Sequence, residues 1–145
     1  MSNSGKTILL VEDNENDVIF MQRALATAEV ANPVQIVADG QSAINYLAGV
    51  GEFSDRIAFP LPALLFLDLK LPVKSGLDVL AWLRRRPEFK KVIVLVLTTS
   101  REPTDIERAF ELGANAYLAK PSSVSELTEM MRATKSFWLR FNQFC

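Results

Sequence analysis

Short aliphatic runs alternate with stretches of helical periodicity along this chain, five times over. The first run, residues 7–11, leads into a predicted helix whose apolar positions Val18, Met21, Leu25 and Ala28 share one face, and Asn32-Pro33 stops it. Residues 34–37 form the second run, after which Asp39-Gly40 turns the chain into a helix with Ala43, Ile44 and Leu47 inward. Gly49 and Gly51 open a longer, irregular loop that reaches Pro60 and Pro62. The third run, 62–68, is the most apolar of all; Ser75, with Asp78 three residues on, caps a helix carrying Leu77, Leu80, Ala81 and Leu83 before Pro87 ends it. The fourth run, 92–97, precedes a helix with Ile106, Ala109 and Phe110, and Gly113 stands where a left-handed residue is wanted. The fifth run, 115–119, ends at Lys120-Pro121, and a last helix covers about 123–142.

Runs one, three and four are continuously apolar, so each should be covered on both faces, as parallel strands with helical crossovers are. The prediction is an α/β fold, a doubly wound five-stranded parallel sheet in the order 2-1-3-4-5 flanked by five helices. Ligands in such sheets bind beyond the carboxyl ends of the strands, and Asp13, Asp68, Thr98 and Lys120 fall there.

Composition narrows the field. A chain of 145 residues is most economically one domain, 1–145, and no output domain is expected beside it. With a net charge of -1 and no long run of either sign, neither nucleic acid nor an anionic membrane is an expected partner. The single cysteine, Cys145, rules out a disulfide framework, and the segment after residues 1–6 is too short for a signal sequence. A cytoplasmic setting is the natural reading. The complete absence of histidine excludes a Ser/His/Asp triad, a His-ligated zinc and a histidine phosphodonor.

A carboxylate is costly to place against a buried strand unless something pairs with it, so Glu12-Asp13 and Asp68 point to one shared cation site. Neighbouring strands lie about 4.8 Å apart, which lets Asp13 and Asp68 share a divalent ion, while a lysine at 120 has roughly 10 Å to span. Mg²⁺ suits this donor set because it binds through few carboxylates, waters and a phosphate. A phosphoryl group in transfer wants a metal on one side, an ammonium on another, a hydroxyl on a third and a carboxylate oxygen as acceptor. Asp68 is the expected acceptor, with Thr98 and Lys120 opposite the metal.

At these residues the sequence resembles the receiver domains of two-component response regulators. The matching elements are Glu12-Asp13 after strand one, Asp68-Leu69-Lys70-Leu71-Pro72-Val73-Lys74-Ser75-Gly76 after strand three, Thr98 after strand four and Lys120-Pro121 after strand five. The resemblance implies a CheY-like fold in which a sensor histidine kinase phosphorylates Asp68 while Glu12, Asp13, Asp68 and the Lys70 backbone carbonyl hold Mg²⁺. It implies that Thr98 and Lys120 engage the phosphoryl group, that Tyr117 is the aromatic switch, and that the Lys120-Pro121 bond is cis. Such a protein signals to a downstream partner, or passes phosphate on to a histidine phosphotransfer protein, and is no enzyme beyond turning over its own phosphate.

Residues 12–17, the lengthened segment 49–62 and Phe137-Trp138-Leu139 look like the small stand-alone regulators that partner phytochromes, which implies a light-sensing kinase. Lys70 and Ser100 depart from many relatives and border the path of attacking water, so an altered phosphoryl lifetime is expected. The last helix is longer than the sheet it covers, so Trp138, Phe141 and Phe144 should project past the domain edge and pair with a second copy as a homodimer. An aspartate phosphatase would want an acid where Lys70 stands, and a flavin carrier would want a neutral phosphate loop where Glu12-Asp13-Asn14 stand.

Overall fold

The computed structural model describes residue 3 and residues 5–144; Met1, Ser2, Ser4 and Cys145 lie outside the described residues. Five strands, β1 (Ile8–Val11), β2 (Val34–Val37), β3 (Leu64–Leu67), β4 (Ile93–Thr98) and β5 (Ala116–Ala119), pair in parallel in the order β2-β1-β3-β4-β5. Between and after them run α1 (Glu15–Thr27), α2 (Gly40–Ala48), α3 (Gly76–Arg84), α4 (Pro103–Glu111) and α5 (Val124–Thr134). This is the predicted doubly wound architecture; β2 matches its apolar run, β4 is shifted by one residue, and β1, β3 and β5 are shorter than theirs.

Side chains alternate across the sheet with period two, and the register makes this a layered core. Leu9, Leu65 and Val94 form a row that packs with Ala43, Tyr46 and Leu47 of α2 and Val79, Leu80 and Leu83 of α3. On the opposite face Leu10, Phe66 and Leu95 form a row that meets Met21, Ala24 and Leu25 of α1 and Leu127 and Met131 of α5. β1 and β3 are buried throughout, whereas edge strands β2 and β5 are largely half-buried, as an outer position in the sheet dictates. Two helix faces differ from expectation. In α3 it is Val79 rather than Ala81 that enters the core, and in α4 only Ala109 is buried while Phe110 faces solvent.

Local signals set the helix ends. Asn14, Asp39, Ser75 and Ser123 each accept a backbone N–H as N-caps, and Ser75 with Asp78 completes a capping box. Residues 49–62, expected to be irregular, are ordered around three rings: Tyr46, Phe53 and Phe59 sit with centroids 5.2 to 6.0 Å apart. The Tyr46 hydroxyl donates to the Pro60 carbonyl at 2.8 Å, and Arg56 donates to the carbonyls of Tyr46 and Leu47 at the end of α2. Arg84 plays the same part across the molecule, donating to the Gly113 carbonyl at 3.0 Å, the Val92 carbonyl at 2.9 Å and Asn115 Oδ1 at 2.9 Å.

The C-terminal element corrects the predicted straight helix. α5 gives way at Lys135 to a π-helical segment, Lys135–Phe141, whose wider turn lets Leu139 reach the core. Trp138 is therefore half-buried against the α1/α5 core, and Phe144 is half-buried with the Lys6 ammonium 5.8 Å from its ring centre. Of the three aromatics expected to project, only Phe141 does, and Phe137, whose ring packs edge-on against Trp138, is exposed as well. Among the described residues no helix is long and apolar enough to cross a membrane.

The backbone after β3 is fixed by two close approaches. A Cβ on Gly76 would lie 2.1 Å from the Asp68 carbonyl oxygen, and one on Gly40 would lie 2.0 Å from the Lys74 carbonyl oxygen. Only glycine fits either place. Gly76→Ala is expected to lower stability by about 1–3 kcal/mol, read as a lower midpoint in urea; an unchanged midpoint would show that this loop does not depend on the contact.

Candidate functional site

The strand ladder runs one residue past the ends of the strands and so sets the site. The Glu12 N–H donates to the Val37 carbonyl at 3.1 Å, the Asp68 N–H to the Val11 carbonyl at 3.2 Å, and the Lys120 N–H to the Thr98 carbonyl at 2.8 Å. Glu12, Asp68, Thr98 and Lys120 are thereby gathered at the carboxyl edge from β1, β3, β4 and β5. Glu12 and Asp68 are buried, Thr98 is fully buried, and Asp13 is exposed on the solvent side.

One carboxylate oxygen from each of Glu12, Asp13 and Asp68 lies within 4.8 Å of the others. Oxygen-only ligation by few carboxylates, one of them open to water, fits a hard divalent cation such as Mg²⁺. Lys120 closes the site from the far side. Its Nζ donates to Asp68 Oδ2 at 2.8 Å, to Asp17 Oδ2 at 2.9 Å and to Glu12 Oε1. Asp68 Oδ1 also accepts the Lys70 N–H at 3.3 Å, so both oxygens of the predicted acceptor are held. The Lys70 side chain itself is exposed.

These charges shape one another. Burial raises the Glu12 carboxyl above the usual range; the Lys120 hydrogen bond and the Asn14 N–H only partly offset it, and the negative charge of Asp68 adds to it. Burial alone would pull Lys120 down, but its hydrogen bonds to Asp68, Glu12 and Asp17 carry it well above the ordinary lysine value. It is a permanent cation in a site with excess negative charge.

The Thr98 hydroxyl is the one buried side-chain polar atom without a hydrogen-bond partner among the described residues. Such a group normally has a partner, and leaving it alone costs about 1–3 kcal/mol. Tyr117, one strand over and three residues before Lys120, packs against Leu69, Val96 and Ala109 while its hydroxyl donates to the Ser100 carbonyl at 2.9 Å. The Ser100 hydroxyl donates to Asp105 Oδ2 at 2.6 Å and so is committed to the first turn of α4. Among the described residues there is no cis peptide, so the Lys120-Pro121 bond is trans, the form that X–Pro amides intrinsically favour, where cis was expected.

Asp17 was not among the expected site residues. In the sequence it reads as a first-turn acid favourable to the helix dipole, and only the packing of α1 against α5 brings it to Lys120. Beside it a cleft of about 440 Å³ lies between α1 and the start of α5, lined by Phe20, Met21, Leu97, Pro121 and Leu127. Trp138, Phe141 and Phe144 lie on the C-terminal segment and take no part in the acidic site.

Comparison with known proteins follows this geometry. A family model described as the response regulator receiver domain matches residues 8–132. The chain is 39% identical over 138 residues to Response regulator Rcp1 of Synechocystis sp., covering 95% of this chain and 92% of that protein. It also resembles the phosphorylated cyanobacterial phytochrome response regulator RcpA, at 37% identity and a TM-score of 0.89 over 97% of this chain and 98% of that one. The Mn²⁺-bound form of Rcp1 is similar at 37% identity and a TM-score of 0.87, over 97% of this chain and 99% of that one.

Both tyrosines have phenols pushed above their usual value, chiefly by burial, with Asp105 and Asp68 adding to the effect at Tyr117 and Arg56 opposing it at Tyr46. A raised phenol adds stability that is complete below the unfolded value and is lost as pH rises through the folded one. At a pH of about 10, where phenols in the unfolded chain are half ionised, the folded protein should show less than half of its full phenolate absorbance. Half-developed absorbance with the circular dichroism of the fold intact would contradict this.

Proposed function

The chain belongs to the response regulator receiver domain family, related to the phytochrome response regulators, and on that premise we propose that Asp68 accepts a phosphoryl group from a light-sensing histidine kinase in a Mg²⁺-dependent reaction. The observation that carries this is the position of Asp68 just past the end of β3, the central strand. The acids that follow β1 stand on one side of it, and the Lys120 ammonium and the unpartnered Thr98 hydroxyl stand on the other.

An Asp68 oxygen forms a bond to phosphorus as the bond from phosphorus to the donor nitrogen breaks, and the electron pair leaves with that nitrogen. Glu12, Asp13, Asp68 and the Lys70 carbonyl would hold the cation, which supplies charge neutralisation to the phosphoryl oxygens. Lys120 supplies a second positive charge that burial cannot discharge. Thr98 is a buried donor with nothing to donate to, and Tyr117 ties the neighbouring strand to the loop that starts α4. Re-pairing of Thr98 with a phosphoryl oxygen, accompanied by a change at Tyr117, is the switch, and it reads out on the α4 and β5 face to a downstream protein. The site turns over only its own phosphate, in the cytoplasm.

Incubation with Mg²⁺ and acetyl phosphate should add the mass of one phosphoryl group, and Asp68→Asn should abolish the gain. Lys120→Ala should still bind Mg²⁺ yet lose the conformational response. Labelling that persists in Asp68→Asn would refute the assignment, and steady phosphate release with no covalent species trapped would favour a phosphatase.

Self-association is the second part of the proposal. Phe137 and Phe141 are both exposed, 58% and 66% accessible, on the π-helical segment, and a second copy of the chain is the simplest cover for them. In sedimentation velocity Phe141→Ala should shift a dimer toward monomer while Trp138→Ala acts mainly on stability; a monomeric wild type would remove the dimer.

A further inference from the structure

Two of the three carboxylates that fit a cation are also the partners of Lys120. Glu12 and Asp68 belong both to the cluster within 4.8 Å and to the set that holds the ammonium. An ammonium has three N–H donors, and here each is used, on Glu12, Asp68 and Asp17. A dication and the lysine therefore compete for the charge of the same two carboxylates, and when the dication takes them it also repels the ammonium. Asp17 is the one partner of Lys120 outside the cation cluster.

Asp17 is held from a different direction than its neighbours. It sits in the first turn of α1, where its N–H donates to the capping Asn14 side chain at 3.0 Å, whereas Glu12 and Asp68 are held by the sheet ladder. Its side chain is 37% exposed, against 5% for Glu12 and 9% for Asp68, so it forms the outer wall of the charge cluster.

We infer that Asp17 is a positioning residue: it keeps the Lys120 ammonium docked beside Asp68 while Glu12 and Asp68 are given over to the cation. This rests on the reading of Glu12, Asp13 and Asp68 as a Mg²⁺ site. Without Asp17, Lys120 has only the cation's own ligands to pair with. It then either holds them against the metal or, when the metal prevails, leaves the acceptor for solvent. The acid on α1 thus separates two roles that would otherwise conflict, neutralising Lys120 and leaving the sheet carboxylates free to ligate.

Mg²⁺ titration calorimetry on the full chain, over a cycle of Asp17→Asn, Lys120→Met and the double variant, tests this. Asp17→Asn should weaken Mg²⁺ binding by roughly tenfold, the low end for groups that act on a metal ligand from behind it. Lys120→Met should bind more tightly than wild type, and the double variant should match Lys120→Met, because Asp17 acts through the lysine. Asp17→Glu, which keeps the charge, should recover most of the affinity. Wild-type affinity in Asp17→Asn would overturn the inference. So would an equal loss in the Lys120→Met background, which would make Asp17 a plain source of negative field. Should Lys120→Met fail to fold, Lys120→Gln completes the same cycle. A wild type that binds no Mg²⁺ would instead overturn the metal site itself, and the inference with it.

Discussion

Carboxylates reaching in from β1, β3 and α1 close around the single ammonium of Lys120, and the rest of the molecule is arranged so that they can. A charge set among buried strands is tolerable only when paired and hydrogen-bonded. Pairing across four chain segments requires a sheet whose central strands are rigid and buried on both faces. The continuous apolar runs of β1, β3 and β4 are thus the counterpart of the charged edge: oil along the strands, ions just beyond their ends. Because all five strands are parallel, those ends lie together, and residues more than a hundred positions apart become neighbours.

The exactness of that edge depends on backbone contacts more than on side chains. Gly76 lets the start of α3 sit against the Asp68 carbonyl, and Gly40 admits the Lys74 carbonyl at the start of α2. Val73 between them takes a φ of 70°, a left-handed conformation that a β-branched residue adopts reluctantly. The loop carrying the acceptor is therefore pinned on both sides and strained in its middle. Far from it, Arg84 and Arg56 gather free carbonyl groups at helix and turn ends, so that two cations serve as structural ties with no part in the acidic site.

Much of this was legible in the order of residues. Period and punctuation gave the strand order, the cap at Ser75, and the meeting of Glu12, Asp13, Asp68 and Lys120, because each depends on local pattern plus one topological rule. What escaped depends on contacts between elements. Asp17 looks like any helix-start acid until α1 is laid against α5, and the Tyr46, Phe53 and Phe59 cluster turns a glycine-flanked loop into a packed one. Trp138 was expected outside because a straight α-helix would carry it there; the wider π turns redirect it inward. Phe110 failed in the opposite sense, since α4 lies on the flank of the sheet and has too little core to bury a phenylalanine.

The lone hydroxyl of Thr98 is a donor dried in advance. With nothing to donate to, it is one hydrogen bond short at a group the fold has already desolvated. Any occupant presenting an oxygen there makes good that deficit without further dehydration. The cost of drying that donor is met by the fold itself, and no part of it is left to weaken a contact made there.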